Sequence, residues 1–357
     1  MTNASLASPF IFVTCQAGAE AHLKREVARL QPEWRPAYMR PGFVTFKSAA
    51  GQVGLDVALD AIFARAYGVS FGKTTTPAAV VEFAAGIAGP KRLHVWSRAA
   101  QLPGDEPLSL TDTAPAIEAE LRASGAFIPT SVGERGAVSE AQIGDTVVDV
   151  VVVATKELWF GAHTHSARHA PWPGGRPAIA MPEAAPSRAY VKMVEALLWS
   201  AAPLQPGDAV LELGSAPGGA SYALLERGMK VVGVDTADMD FAVLDFVPTS
   251  SLNRDSRFRH VRKKVAQLRA TEIPSEPFWI ALDVNLHPND VFPALERVIA
   301  FAPERVRGGL LTFKLTDDKV AGQLPQLLQR VRALGFASVR ARQLTYGRRE
   351  IFVYASK

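Results

Sequence analysis

The residues whose types and placement could do chemistry are Lys192, Asp235, Asp283, Lys314 and Glu350. Asp235, Asp283 and Lys314 each end a short apolar run, and Glu350 opens another. Such runs, bounded by turn residues, read as buried strands. In an open parallel sheet, ligands bind at the strands' carboxyl ends, where these side chains would stand. Lys192 would approach from a helix, Ser187 to Trp199, ahead of the first strand. A Lys-Asp-Lys-Glu group suits removal of a proton from a poor nucleophile such as a ribose hydroxyl. A lysine takes a proton only when neutral; a second ammonium and partial burial disfavour its charge. Carboxylates favour the charged form but hold the lysine's geometry. The expected roles are Lys314 as base, with Lys192, Asp283 and Glu350 tuning and orienting it.

Beside these residues lies a loop, Gly214-Ser215-Ala216-Pro217-Gly218-Gly219, between an apolar run, Ala209 to Leu213, and a helix, Tyr222 to Arg227. A second apolar run from Lys230 then ends on Asp235. Strand, glycine loop, helix, strand and acid form the opening βαβ of a sheet that binds a nucleoside-containing ligand. The glycines would let the backbone come close to that ligand, and Asp235 would accept both ribose hydroxyls. A Gly-x-Gly-x-x-Gly turn shaped for a pyrophosphate is absent, and a proline interrupts the loop. That form fits S-adenosylmethionine, which has no phosphates. The expected cofactor-binding residues are therefore Gly214, Ser215, Ala216, Pro217, Gly218, Gly219, Asp235 and Asp283.

The elements that must position these residues fill 187–357. Parallel strands closed by an antiparallel hairpin around Thr345 to Arg349 give an α/β, Rossmann-like methyltransferase sheet. A helix over 318–334 precedes that hairpin. Upstream, 1–75 reads as an α+β region, with helices at Ala17 to Leu30 and Val53 to Ala66. Residues 76–165 carry further strands around a helix ending at Ala123. Five prolines make 166–186 an extended linker. His163 and His165 alternate along a strand and would face opposite ways, and no third ligand stands out, so no metal is expected.

Composition excludes several classes. The 48% apolar and 21% charged fractions are those of an ordinary globular protein. No apolar run approaches the ~18 residues of a membrane span, so no membrane partner is expected. Met1 to Pro9 lacks the basic start and apolar core of a signal peptide, which makes a cytoplasmic location the expectation. Cys15 is the single cysteine, which rules out an internal disulfide and suggests a buried packing residue. The net charge of +4 is unevenly spread. Arg254, Arg257, Arg259, Arg262, Lys263, Lys264 and Arg269 form one basic set; Arg340, Arg342, Arg348 and Arg349 form another. Two such sets around one site point to a polyanion.

Ala216-Pro217-Gly218-Gly219 with Lys192, Asp283, Lys314 and Glu350 resembles the FtsJ-type 2′-O-ribose methyltransferases and their Lys-Asp-Lys-Glu tetrad. Ala185-Pro186-Ser187-Arg188, Arg342-Gln343-Leu344 and Ile62-Phe63-Ala64-Arg65 are similar to the RlmM-type branch of that family. That branch methylates a cytidine ribose of bacterial large-subunit ribosomal RNA. The resemblance implies a ferredoxin-like region over 1–75, a THUMP-like RNA-binding region over 76–165, and RNA, as large-subunit rRNA or its precursor particle, as partner. One departure is that Lys264 stands where the third strand of such enzymes often ends on an acid near the adenine. Adenine contact would then fall to backbone groups or a displaced side chain such as Asp245.

Competing readings are weaker. A 5-methylcytosine enzyme needs a nucleophilic cysteine, and Cys15 lies far from this sheet in sequence. An amine methylase would show Asn/Asp-Pro-Pro-Tyr where Asp283-Val284-Asn285-Leu286 stands. An RNA-binding assembly factor with an inactive methyltransferase domain is the alternative of another class, and the intact tetrad argues against it.

Overall fold

A computed structural model describes residues 6–98, 110–129, 140–251 and 253–357. The first five residues of the Met1 to Pro9 stretch lie outside the described residues. The chain divides into two units, Met1–Ala178 and Ile179–Lys357.

In the first unit, β1 (Ala7–Ser8) pairs antiparallel with β5 (Val53–Gly54). The main sheet comprises β2 (Phe10–Thr14), β3 (Trp34–Arg40), β4 (Phe43–Ser48), β6 (Ala66–Thr74), β7 (Lys91–Ser97), β8 (Thr146–Ala154) and β9 (Glu157–Thr164). Its order is β3-β4-β2-β6-β9-β8-β7. The two regions distinguished in the sequence therefore share one sheet, because β6 pairs with β2 on one side and β9 on the other. β3 holds Pro36 without losing its place because it is an edge strand, where a missing N–H is tolerated. The helices of this unit are α1 (Glu20–Leu30), α2 (Pro77–Ala85) and α3 (Leu110–Ala123).

The helix expected at Val53 to Ala66 is not formed. Leu55, Val57, Leu59, Ala61 and Phe63 are buried while Asp56, Ala58 and Asp60 are exposed, a two-residue period that suits extended chain. The buried Glu26 of α1 accepts the Ile62 and Phe63 N–H groups at 2.9 and 3.1 Å, replacing helical bonds with a side-chain partner. Residues 166–178 pack onto the same unit and bury His169 and Trp172. His163 and His165 do not diverge either. β9 ends at Thr164, so strand alternation no longer governs His165, and the two rings approach to 3.4 Å.

The second unit begins with α4 (Ala189–Ser200) and alternates strand and helix: β10 (Ala209–Leu213), α5 (Gly219–Glu226), β11 (Lys230–Asp235), α6 (Phe241–Leu244), β12 (Arg257–Arg262), β13 (Phe278–Asp283), α7 (Pro288–Phe301) and β14 (Val306–Lys314). The helix read over 318–334 is two, α8 (Asp318–Gly322) and α9 (Leu324–Ala333). Pro325 has no N–H to continue α8 but fits the first turn of α9. β15 (Ser338–Arg342) and β16 (Glu350–Ser356) close the sheet, in the order β12-β11-β10-β13-β14-β16-β15. β10 to β14 are parallel and β16 runs against β14. This is the Rossmann-like α/β sheet, parallel with an antiparallel C-terminal hairpin, expected from sequence. The order reverses at β10, whose neighbours are β11 and β13, and that switch point is where ligands bind. Among the described residues no helix is long and apolar enough to cross a membrane.

Candidate active site

β10 is fully buried and stops at Leu213, where Gly214 (φ 84°) turns the chain and donates its N–H to the Val234 carbonyl at 2.9 Å. The loop then passes a cis Ala216–Pro217 bond and enters α5 at Gly219, earlier than the sequence suggested. Asp235 steadies it by accepting the Ala216 and Ala237 N–H groups at 3.1 and 2.9 Å. Gly218 (φ 117°) is needed for a reason other than ligand approach. A Cβ there would stand 2.5 Å from Val243 Cγ2 and 3.0 Å from Met239 Cε. The space belongs to the protein, which packs α6 against the loop.

A cleft of about 510 Å³ opens between Gly214 and Asp235 on one side and Val284, Leu286 and Asp290 on the other. It suits a nucleoside, with an acid for the ribose and apolar walls for the base. Lys264 and Val265 line it as well, whereas Asp245 is not among its lining residues. Asp290, from the first turn of α7, is a second acid in this lining beside Asp235.

The four tetrad residues meet in one ion cluster. Lys314 and Glu350 are register partners on β14 and β16, and Asp283 ends β13 alongside. Lys314 Nζ lies 2.5 Å from Asp283 and 2.6 Å from Glu350. Lys192 Nζ reaches Glu350 at 2.6 Å and Asp283 at 3.9 Å. Burial alone would lower the Lys314 pKa, but the charges and hydrogen bonds of Asp283 and Glu350 outweigh it and hold it above the usual lysine value. Expected tuning towards the neutral amine is thus reversed in the free protein, because two carboxylates stand closer than any second ammonium. Burial likewise works to raise the Glu350 carboxyl, yet Lys314 and Lys192 keep it below its ordinary range.

Two acids that the sequence reading passed over belong to this site. Glu212, inside β10, is fully buried and accepts the Ser221 hydroxyl at 2.5 Å. Burial, partly offset by that hydrogen bond and increased by Asp283 and Asp235, pushes its pKa up to about 8. It is therefore mostly protonated near neutrality, and a cation placed beside it would draw the proton off. An acid in the middle of an apolar strand was the available signal. Glu195, also buried, follows Lys192 by one turn of α4 and accepts the Thr345 and Tyr346 N–H groups at 2.7 and 2.8 Å. It pins the loop that carries Glu350. The helical spacing from Lys192 was visible in sequence; its partner 150 residues away was not.

Residues 185–272 match the FtsJ-like methyltransferase family model. The chain is 31% identical over 189 residues to a protein of Halorhodospira halophila named ribosomal RNA large subunit methyltransferase M, covering 52% of this chain and 51% of that one. A protein of the same name from Laribacter hongkongensis is 30% identical over 219 residues, 58% of this chain and 56% of the relative. The chain thus spans about half the length of the curated relatives it matches. Among solved structures, a magnesium protoporphyrin IX methyltransferase of Synechocystis is similar at 15% identity over 48% of this chain and 80% of its own, with a TM-score of 0.35 that carries no argument. The tetrad geometry and the loop agree with that match: residues 185–272 are similar to the FtsJ-like methyltransferase family.

Proposed function

We propose that the second unit transfers a methyl group from S-adenosylmethionine to a ribose 2′-hydroxyl of RNA, with a cytidine of large-subunit ribosomal RNA as target and the first unit as an RNA-binding region. The observation that carries this reading is the closed Lys192-Asp283-Lys314-Glu350 cluster at the sheet's carboxyl edge. The names of the relatives support the RNA class. S-adenosylmethionine supplies an electrophilic methyl group on a positively charged sulfur. Asp235, Gly214 and the walls of the cleft would hold its nucleoside part. Lys314, an ammonium in the free protein, gives up its proton more easily beside an added positive charge. Its amine then takes the hydroxyl proton as the oxygen–carbon bond forms and the carbon–sulfur bond breaks. Asp283 and Glu350 fix the position of Nζ throughout, and alignment supplies much of the acceleration.

The direct test incubates the purified chain and the cofactor with ribosomal RNA from a strain lacking the gene, then maps 2′-O-methyl positions. One new site on a cytidine is expected; methylation of a base, or none on RNA or precursor particles, would overturn the reading. Asp235→Ala should weaken cofactor binding by about 1–3 kcal/mol through lost charge-assisted hydrogen bonds, as read by calorimetry.

The basic set on and after β12 is available to phosphates. Arg259 donates to the Glu272 carbonyl and Arg262 pairs with Asp238 at 2.7 Å, both at the surface, where such pairs are weak. Arg348 and Arg349 are exposed beside Glu350, whereas Arg340 stacks on Trp199 and Tyr354. Arg259→Glu with Arg262→Glu should weaken RNA binding and reduce the slope of log affinity against log salt by about 0.7–0.9 for each phosphate no longer neutralised. An unchanged slope would make this set an ordinary solvated face.

A further inference from the structure

The first unit gathers aromatic and basic side chains on one face of its sheet. Register partners share a face, so Tyr38 of β3 stands with Thr45 of β4 and Phe12 of β2, and Arg40 stands with Phe43. Further along, Lys73 of β6 stands with Trp159 of β9, and Trp159 with Val151 of β8. Glycines join these rows: a Cβ on Gly68 or on Gly161 would stand 2.9 Å from the Phe12 ring, so bare backbone makes room for that ring. Phe12, Phe43, Val151 and Val153 form a buried floor. Tyr38 and Trp159 pack on it and stay partly exposed, with ring centroids 4.9 Å apart and Phe43 at 5.4 Å from Trp159.

One carboxylate fixes the orientation of both rings. Glu157 accepts the Tyr38 hydroxyl at 2.7 Å and the Trp159 indole N–H at 2.9 Å. Burial works to raise its pKa, yet those two hydrogen bonds, with Lys73 and Arg40, hold it below its ordinary range. Arg40 and Lys73 are exposed. The Arg40 guanidinium lies 4.9 Å from the centre of the Tyr38 ring, and Lys73 Nζ lies 5.8 Å from Tyr38 and 6.0 Å from Trp159. Buried Arg98 donates to the Val153 and Pro41 carbonyls at 2.7 and 2.8 Å, bonds that leave its charge unmatched. Among the described residues, Arg40, Lys73 and Arg98 thus act on the same small group as Glu157, and the charge about the rings is positive. An apolar partner would match the rings and strand the cations. A single-stranded polynucleotide matches both, with bases for the rings and phosphates for the cations. A duplex keeps its base faces inside its own stack.

We propose that this face is a platform for unpaired RNA bases, on which Tyr38 and Trp159 stack while Lys73 and Arg40 turn from the rings to phosphates. The inference rests on the reading of the first unit as an RNA-binding region and names a single-stranded segment as what that region takes.

The test uses the full chain and a short single-stranded oligoribonucleotide that carries 4-thiouridine. After irradiation, nucleotide adducts are expected on peptides containing Tyr38 or Trp159. Trp159→Leu keeps an apolar side chain on the floor and removes the stacking surface, so affinity should fall about 5- to 140-fold. Lys73→Gln, at an exposed position, should reduce the slope of log affinity against log salt by about 0.7. Adducts confined to the second unit overturn the platform while leaving RNA binding by the chain intact. An unchanged slope in Lys73→Gln does the same, whether or not Trp159→Leu folds. Tighter binding of a duplex of the same sequence overturns it as well. If neither RNA binds, the inference falls together with the reading beneath it.

Discussion

Replacing Lys314 with alanine is expected to leave the fold and cofactor affinity largely intact while slowing methyl transfer by about 10²–10⁴, the usual worth of a positioned general base. The fold should survive because Lys192 stays within 2.6 Å of Glu350 and 3.9 Å of Asp283, so neither carboxylate is left without a cation. Lys314→Arg should not rescue, since a guanidinium keeps its proton near neutral pH. The pH dependence follows from the sign of the shift. Asp283 and Glu350 raise the Lys314 pKa, so the amine form is scarce at neutrality and the single-turnover rate should climb as pH rises. Lys192→Met removes a positive neighbour, raises the Lys314 pKa further, and should move that climb to higher pH. An active Lys314→Arg enzyme with a flat pH profile would show that the position only holds a phosphate, and the base assignment would fall.

The second large effect is expected at the loop. Gly218→Val places a side chain where φ is 117° and where Val243 and Met239 already fill the space. Backbone strain of about 1–3 kcal/mol and overpacking of about 1–3 kcal/mol together reach about 2–6 kcal/mol. If the loop relieves this strain by leaving its native path, cofactor affinity drops by about 30-fold to more than 10,000-fold, at 1.4 kcal/mol per tenfold. Calorimetry and thermal melting should be run on the same variant. Full affinity with a lowered melting temperature would make Gly218 a packing device and take it out of the cofactor site.

The sequence by itself determined where Asp235, Asp283, Lys314 and Glu350 would stand. Parallel strands share one direction, so residues at their carboxyl ends must lie on one edge, and the antiparallel last strand brings its first residue there as well. Apolar runs and glycines mark those ends without any knowledge of packing. Local pattern misled where two periods overlap: 53–66 carries enough apolar residues for a helix, but the carboxylate of Glu26, brought in from α1, takes the Ile62 and Phe63 N–H groups that helical bonds would have used. Tertiary structure alone decided the partners of buried polar groups, because these come from distant segments. Glu195 meets Thr345 across 150 residues, and His169 joins His163 only because the chain after β9 folds back. It also decided the sign at Lys314. A sequence shows that two lysines and two acids converge, but the balance of their charges depends on distances of 2.5 to 3.9 Å, over which an interaction changes too steeply to be read from order along the chain.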